Sequence, residues 1–169
     1  MTSIAATTNL PPLGAHQRQE VGLQLQATLL ELLDLSLLGK QLHWTIAGPV
    51  FHPLHLQLDE LVDSWRELAD SVAERAMAIG FTPDGQAGAI ATGSDIAALE
   101  RTVHQDHLAV HELTRRVADV SERIRARMDR IGDLDLVSQD LLISVVGALQ
   151  QQQWMLRSQF GVGGDGLKS

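Results

Sequence analysis

Four side chains that bind hard metal ions recur at helical spacing between Phe51 and Ile79. They are His55, Asp59, Asp70 and Glu74, and the steps between them are four, eleven and four residues. Each step is close to a whole number of turns at about 3.6 residues per turn, so all four lie on one stripe of one helix. Carboxylate oxygen combined with imidazole nitrogen suits a first-row metal such as iron. A solvated, salt-bridged helix face is the alternative interpretation of this stripe.

The two ends of the stripe are too far apart to hold one ion. Asp59 and Asp70 are separated by roughly 16 Å along the axis, whereas a metal–ligand bond is on the order of 2 Å. Two unrelated half-sites would satisfy this spacing. So would a second copy of the helix, antiparallel across a two-fold axis, which would bring Asp59 of one chain to Glu74 of the other and make two identical sites per dimer.

The composition is that of a helical, acidic, globular protein. The chain has 169 residues, enough for one domain with a sizeable core. Hydrophobic residues make up 44% and aromatic residues only 4%, which favours helices over a β-sandwich or barrel. A net charge of -8 disfavours general nucleic-acid binding and favours the attraction of cations. The absence of cysteine excludes disulfides, thiolate metal sites and cysteine nucleophiles.

We expect a cytoplasmic protein that can associate with the nucleoid and has no contact with membranes. Residues 1–13 contain no Lys or Arg and no long apolar core, so they do not resemble a signal peptide. No apolar run has the length expected of a membrane-spanning helix.

Hydrophobic periodicity predicts four long helices, at about 16–45, 53–79, 95–130 and 137–160. Gly48 and Pro49 end the first helix, and the short connection makes the first two helices antiparallel neighbours. His43 and His55 therefore lie at the same end of this hairpin and can converge.

The segment 80–93 is Gly-rich and long for a connection within a bundle. Fully extended, it could span about 45 Å, which is enough to return along the bundle, with a short helical turn near 86–91. The predicted fold is therefore an all-α, ferritin-like four-helix bundle with a long crossover between helices 2 and 3. We expect the bundle at 16–160, between flexible tails at 1–15 and 161–169.

A composite pattern runs through the first two predicted helices: His43-Trp44, Gly48, Phe51, Leu54-His55, Leu58-Asp59-Glu60, Asp70 and Ala73-Glu74-Arg75. A second pattern lies in the last helix: Ser138-Gln139-Asp140-Leu141-Leu142 and Trp154-Met155-Leu156. Together they resemble the Dps family, the mini-ferritins of bacteria and archaea, over roughly residues 21–160. The Glu-x-x-His pattern of ordinary ferritins is absent, because no His follows a Glu by three residues.

The resemblance implies a ferroxidase that stores ferric mineral in a hollow homododecamer built on two-fold dimers and so protects against oxidative stress. Its oxidant would be hydrogen peroxide, or dioxygen. The iron site, with two iron ions and no haem, would lie between two chains. One chain would supply His43, His55 and Asp59, and its partner Asp70 and Glu74.

Two residues beside these ligands each have two interpretations. The resemblance makes Trp44 a candidate electron donor or radical sink, and a core or interface tryptophan is the equal alternative. Lys40 lies one turn before His43 and could tune the site, although an ordinary surface lysine is the favoured interpretation.

Two further clusters have a functional and an ordinary interpretation. A divalent metal could bind one cluster, although a solvent-facing surface is favoured; its members are Glu100, His104, His107 and His111. In the family, an acidic stretch near the last turn lines a pore for iron, and helix capping is the alternative; the residues here are Asp133, Asp135 and Asp140.

A nucleoid-compacting DNA-binding protein is the second candidate function. Family members bind DNA through Lys-rich tails, but residues 1–16 contain no Lys or Arg and the last nine residues carry only Lys168. The one basic concentration is interleaved with acids and indicates a salt-bridged helix face; it comprises Arg115, Arg116, Arg123, Arg125, Arg127 and Arg130. We therefore expect weak or no DNA binding near neutral pH.

A mononuclear iron oxygenase is the third candidate. It would use His43, His55 and Asp59 as a facial triad and would need an organic substrate for turnover. This alternative leaves Asp70 and Glu74 without a role.

Overall fold

The computed structural model describes residues 10–160 of the chain. In order, its elements are α1 (Ala15–Thr45), β1 (Ile46–Ala47), α2 (Phe51–Ala78), α3 (Ala87–Gly93), β2 (His104–Gln105), α4 (Asp106–Ile131) and α5 (Leu136–Gln159). Residues 1–9 of the predicted N-terminal tail and the whole predicted C-terminal tail, 161–169, lie outside the described residues.

The four long helices pack around one apolar core, which confirms the predicted all-α bundle with its long crossover. α1 packs along α2 and α4 packs along α5, and contacts of α1 with α4 and of α2 with α5 join the two pairs. The largest side chains of the core are less than 2% exposed and include Trp65, Leu25, Leu32, Leu35, Leu54 and Ile124. The apolar stripe of each helix thus faces its neighbours, as the periodicity predicts.

Gly39 allows α1 and α2 to approach closely. A Cβ atom at this position would lie 2.7 Å from Val62 and 2.8 Å from the ring of Trp65. Real Cβ contacts are not that short, so a larger residue would push the helices apart. The two helices that carry the candidate ligands are therefore in tight contact.

The prediction that a third long helix begins near residue 95 is wrong. α4 begins at Asp106, and residues 94–103 contain no helix. The buried guanidinium of Arg116 donates to the carbonyl oxygens of Ala97 at 3.0 Å and Ala98 at 3.2 Å. These tertiary bonds satisfy carbonyl oxygens of a non-helical segment, and they override the local helix propensity. The predicted short turn near 86–91 is α3.

The Arg-rich stretch of α4 faces two ways, so its prediction as a single surface face is only partly right. Arg115 pairs on the helix surface with Glu112 at 3.3 Å and Asp119 at 3.4 Å. Arg123 and Arg127 instead pair across the bundle with Glu31, which is completely buried in α1. Two arginines of the stretch therefore serve helix packing.

By length and composition, α1 could cross a membrane, contrary to the expectation from the sequence. One window of 18 residues has a mean hydropathy of 1.3, and 61% of that window is buried inside the protein. Burial against neighbouring helices is typical of a core helix, and this is the place of α1 in the bundle.

Candidate functional site

His43 and His55 meet where the turn between α1 and α2 reverses the chain. His43 lies in the last turn of α1 and is 8% exposed, while His55 lies in the second turn of α2 and is half-buried. Their rings are stacked, with centroids 3.6 Å apart and an interplanar angle of 23°. The hairpin therefore brings the two imidazoles together, as their positions in the sequence predict.

The two histidines exchange hydrogen bonds that fix the orientation of both rings. Nδ1 of His43 donates to the carbonyl oxygen of His55, and Nδ1 of His55 donates to that of His43, each at 3.0 Å. A carbonyl oxygen only accepts, so both Nδ1 atoms carry the hydrogen. In the neutral rings the lone pair is then on Nε2, which leaves both imidazoles in the form that binds metals.

Asp59 stands beside this pair but is held by a cation. Its Oδ1 atom forms an ion pair with Nζ of Lys40 and lies 3.2 Å from Nδ1 of His43. The hydrogen bond from Lys40 lowers the pKa of Asp59, partial desolvation opposes this change, and the nearby imidazoles lower the pKa further. Lys40 therefore contacts a candidate ligand, so the interpretation as an ordinary surface lysine is wrong.

Asp70 and Glu74 lie on the same unbroken helix but are exposed. Within residues 10–160 neither carboxylate has a hydrogen bond or an ion pair to another residue. A groove of about 320 Å³ flanks Asp70 and runs beside Leu33, Ala73 and Pro83. We call His43, His55 and Asp59 the imidazole half, and Asp70 with Glu74 the carboxylate half.

Neither half is a complete metal site in one chain. Among residues 10–160, no three His, Asp or Glu side chains are close enough together to hold a metal ion. Asp59 contacts the Nδ1 side of His43, so its carboxylate and the Nε2 lone pairs do not converge. The straight helix keeps Asp59 and Asp70 roughly 16 Å apart along its axis.

Trp44 is 70% exposed beside the imidazole half. This exposure excludes a place in the core of the chain. An interface residue and an electron donor remain as the two interpretations.

The acidic turn before α5 contains one residue with a clear structural role. Asp135 accepts hydrogen bonds from the backbone of Val137 at 3.3 Å and from the guanidinium of Arg75 at 2.7 Å. Burial raises the pKa of Asp135, but the hydrogen bonds from Ser138 and Arg75 outweigh burial and lower it overall. Asp135 thus caps α5, while Asp133 and Asp140 are exposed.

The histidines at the start of α4 are mostly solvated. Nε2 of His104 donates to the carbonyl oxygen of Glu100 at 3.1 Å. The side chains of His107 and His111 are 59% and 56% exposed. This arrangement favours the solvent-facing interpretation.

Sequence reasoning missed Asp106, the first residue of α4. Asp106 is 4% exposed, and its carboxylate accepts hydrogen bonds from the backbone of Val50 at 2.9 Å and of His107 at 2.8 Å. The bond from Val50 is the largest cause of its lowered pKa. The expected helix at 95–130 placed Asp106 inside a helix; a correct helix start would have marked it as a first-turn acid.

Comparisons with known proteins agree with the fold. A model of the ferritin-like domain matches residues 23–163. The DNA protection during starvation protein of Mycolicibacterium smegmatis is 38% identical over 160 residues, which is 94% of this chain and 86% of that protein. The structure of Mycobacterium smegmatis Dps superposes with a TM-score of 0.87 at 34% identity, covering 92% of this chain and 89% of that chain. DpsA14 from Streptomyces coelicolor superposes with a TM-score of 0.84 at 30% identity, covering 88% of each chain.

Proposed function

Because this chain belongs to the Dps family of ferritin-like proteins, we propose that it oxidises ferrous iron at sites shared between two chains and stores the product. The family as a whole serves iron storage and DNA protection. The observation that carries the proposal is the pair of imidazoles in the imidazole half. Both rings are locked by their Nδ1 atoms, and so both keep an Nε2 lone pair for a metal.

Each site would combine the imidazole half of one chain with the carboxylate half of its partner. Two α2 helices lying antiparallel across a two-fold axis would make this pairing twice per dimer. The exposure of Asp70 and Glu74, and their lack of partners within residues 10–160, support the pairing, because exposed carboxylates can be covered at no loss of existing bonds. A mononuclear oxygenase would leave these two carboxylates unused.

Iron is the substrate of this site. Imidazole nitrogen retains affinity for the ferrous ion, and carboxylate oxygen stabilises the ferric product. Two ferrous ions side by side would give one electron each to hydrogen peroxide. Its O–O bond breaks, and the two oxygen atoms take up two protons to form two water molecules. Asp59 must turn from Lys40 to reach the iron, so Lys40 acts as a competing cation.

We also propose that the oxidised iron enters the cavity of a cytoplasmic homododecamer. The net charge of -8 would attract ferrous ions to such a shell. Asp133 and Asp140 are exposed, so they remain available to line a pore through which iron would enter near the last turn.

Protection of DNA would be indirect in this protein. Residues 1–16 carry no Lys or Arg, and Arg123 and Arg127 are committed to buried Glu31. Removal of iron and peroxide protects DNA without contact. Retention of duplex DNA by the particle at physiological salt would instead favour the nucleoid-compacting alternative.

Complementation between two inactive chains tests the shared site. One chain carries His55→Ala and Asp59→Ala, and the other carries Asp70→Ala and Glu74→Ala. Each alone should oxidise ferrous iron with peroxide more than about 100-fold slower than wild type, since direct ligands matter at least as much as their supporting residues. Random pairing of the two chains makes half of the dimers mixed, each with one intact site, so about one quarter of the activity should return.

The matched control replaces Glu60, an exposed acid on α2, with alanine in two otherwise wild-type tagged chains and should keep full activity. The mixed particles are produced by co-expression with two affinity tags and purified over both. Mixed particles as inactive as their parents would show that the site is not shared. Full activity of either parent would show that its ligands are wrongly assigned.

A further inference from the structure

The turn at 46–50 joins the two histidines of the imidazole half. The rings bond to each other's backbone, so any movement of the turn displaces both a donor and an acceptor. The turn itself is short, and its local backbone bonds run from Ile46 to Leu42, from Phe51 to Gly48 at 3.1 Å and from Leu54 to Val50 at 3.2 Å. Contacts from elsewhere in the fold also position it.

The carboxylate of Asp106 provides one of these contacts. Its Oδ2 atom accepts the backbone N–H of Val50 at 2.9 Å, and its Oδ1 atom accepts that of His107 at 2.8 Å. One side chain thus joins the start of α4 to the turn. Both oxygens are used and the residue is 4% exposed, which is the environment of a structural carboxylate rather than a solvated one.

Gly48 shows how tightly the turn lies on this carboxylate. Its φ angle is 144°, and a Cβ atom there would lie 2.3 Å from Oδ2 of Asp106. Only glycine satisfies both the backbone conformation and the contact. The backbone of the turn therefore rests directly on Asp106.

The end of the crossover delivers Asp106 to this place. β1 and β2 pair in parallel, with Ile46 opposite His104 and Ala47 opposite Gln105. Asp106 is the residue that follows β2. The register of the strand pair therefore determines which part of the turn the carboxylate contacts.

We infer that Asp106 is a positioning residue for the ferrous site, acting through the turn on His43 and His55. The inference rests on the proposed function. Asp106 touches neither histidine side chain; it fixes the turn between the two helix ends, and the carbonyl oxygens that the rings use belong to those helix ends. Loss of the carboxylate leaves the N–H of Val50 without its acceptor, and the two rings lose their common orientation.

Binding of Co²⁺, an air-stable probe whose visible absorption reports its nitrogen ligands, tests this inference on the assembled particle. Asp106→Ala should weaken Co²⁺ binding by about 10- to 100-fold, the usual effect of removing a supporting residue. Asp106→Asn keeps one oxygen for the N–H of Val50 and should weaken binding by only a few-fold. Gly48→Ala, which pushes the turn off the carboxylate, should resemble Asp106→Ala.

Gln152→Leu is the matched control, because it removes the 2.8 Å hydrogen bond to the indole of Trp65 away from the turn. It should lower the melting temperature but leave the Co²⁺ affinity and spectrum unchanged. A purely structural Asp106 would give this same pattern. Equal affinities and spectra in wild type and Asp106→Ala would therefore overturn the inference; should the alanine chain not assemble, equal values in wild type and Asp106→Asn would do so.

His55→Ala separates this inference from the proposed function. If wild type and His55→Ala bind Co²⁺ alike, the proposed iron site itself fails, and with it the role of Asp106. If His55→Ala loses binding while Asp106→Ala keeps it, only the role of Asp106 fails.

Discussion

The imidazole half is braced by contacts within the chain, whereas the carboxylate half is not. His43 and His55 hold each other's rings by hydrogen bonds of 3.0 Å, and Asp59 is held by Lys40. Asp70 and Glu74 stand exposed on the same helix, and in residues 10–160 neither forms a hydrogen bond or an ion pair to another residue. One helix thus carries a prepared half and an unprepared half.

The difference shows which ligands a single chain holds in position by itself. Imidazoles need a defined tautomer and orientation to bind metal, and neighbouring residues must supply both before iron arrives. Carboxylates accept metal from many directions and remain well solvated until then. The prepared half can therefore be built within a chain, while the other half can wait for a partner.

The largest predicted effect is on catalysis, and it should be equal for the two halves despite their different bracing. Asp70→Ala and His43→Ala should each slow ferrous oxidation by peroxide by more than about 100-fold, because each removes a ligand of the proposed shared site. Initial rates of ferric formation measure the effect, with exposed Glu67→Ala as the control. An unchanged rate in Asp70→Ala would remove the carboxylate half from the site.

The free energy of unfolding should distinguish the two halves, although the rate of iron oxidation does not. His43→Ala removes a buried, stacked ring and its hydrogen bond, and should cost about 2 kcal/mol in the free energy of unfolding. Asp70→Ala removes an exposed side chain and should change it by less than about 0.5 kcal/mol. Denaturant unfolding at matched protein concentration measures both. Equal losses would mean that the two halves are braced alike.

Replacement of Lys40 should sharpen the contrast within the imidazole half. In Lys40→Gln the cation that competes for Asp59 is gone, so Co²⁺ should bind about two- to fivefold more tightly, the scale of a partly exposed ion pair. Isothermal titration measures the affinity, with Arg66→Gln, an exposed cation on α2, as the control. Weaker binding in Lys40→Gln would show that Lys40 supports the ligands rather than competing with iron.

The last predicted effect, on stability alone, concerns the anchoring of the helix end that carries the carboxylate half. Arg75, next to Glu74, turns inward to Asp135. The pKa of Asp135 is lowered from an ordinary value of 3.8, so its stabilisation is complete above that value and disappears as the pH falls through the lowered, folded-state pKa. Asp135→Asn should therefore lose about 1 kcal/mol at pH 7 and progressively less below about pH 4.

Unfolding of wild type and Asp135→Asn across this pH range provides the measurement. Asp133→Asn, in the same turn but exposed, should match wild type at every pH. A constant difference between wild type and Asp135→Asn would remove the role assigned to the charge.

Sequence patterns predicted correctly the features that depend only on neighbouring residues. Apolar periodicity gave α1, α2 and α5 to within about two residues, and the short turn placed His43 beside His55. The separation of Asp59 from Asp70 followed from the rise of a helix alone. None of these features needs a distant part of the chain.

The misses are contacts between segments far apart in sequence. Residues 94–103 have helix-favouring alanines, but Arg116 and the pairing of β2 with β1 hold this region in a non-helical form. Lys40 looked like a surface lysine because its partner lies 19 residues away on the next helix. The sequence pattern of α4 likewise does not show that Arg123 faces Glu31 in α1.

The parallel pairing of β1 with β2 also imposes an order in time. The hairpin of α1 and α2 leaves the ribosome first, but the carboxylate that steadies its turn is 56 residues behind Val50. At about 5–20 residues per second, synthesis of that interval takes about 3–11 seconds. A nascent chain therefore displays its two histidines before their support has been made, and the proposed role of Asp106 predicts that mature metal affinity arrives only when the crossover closes.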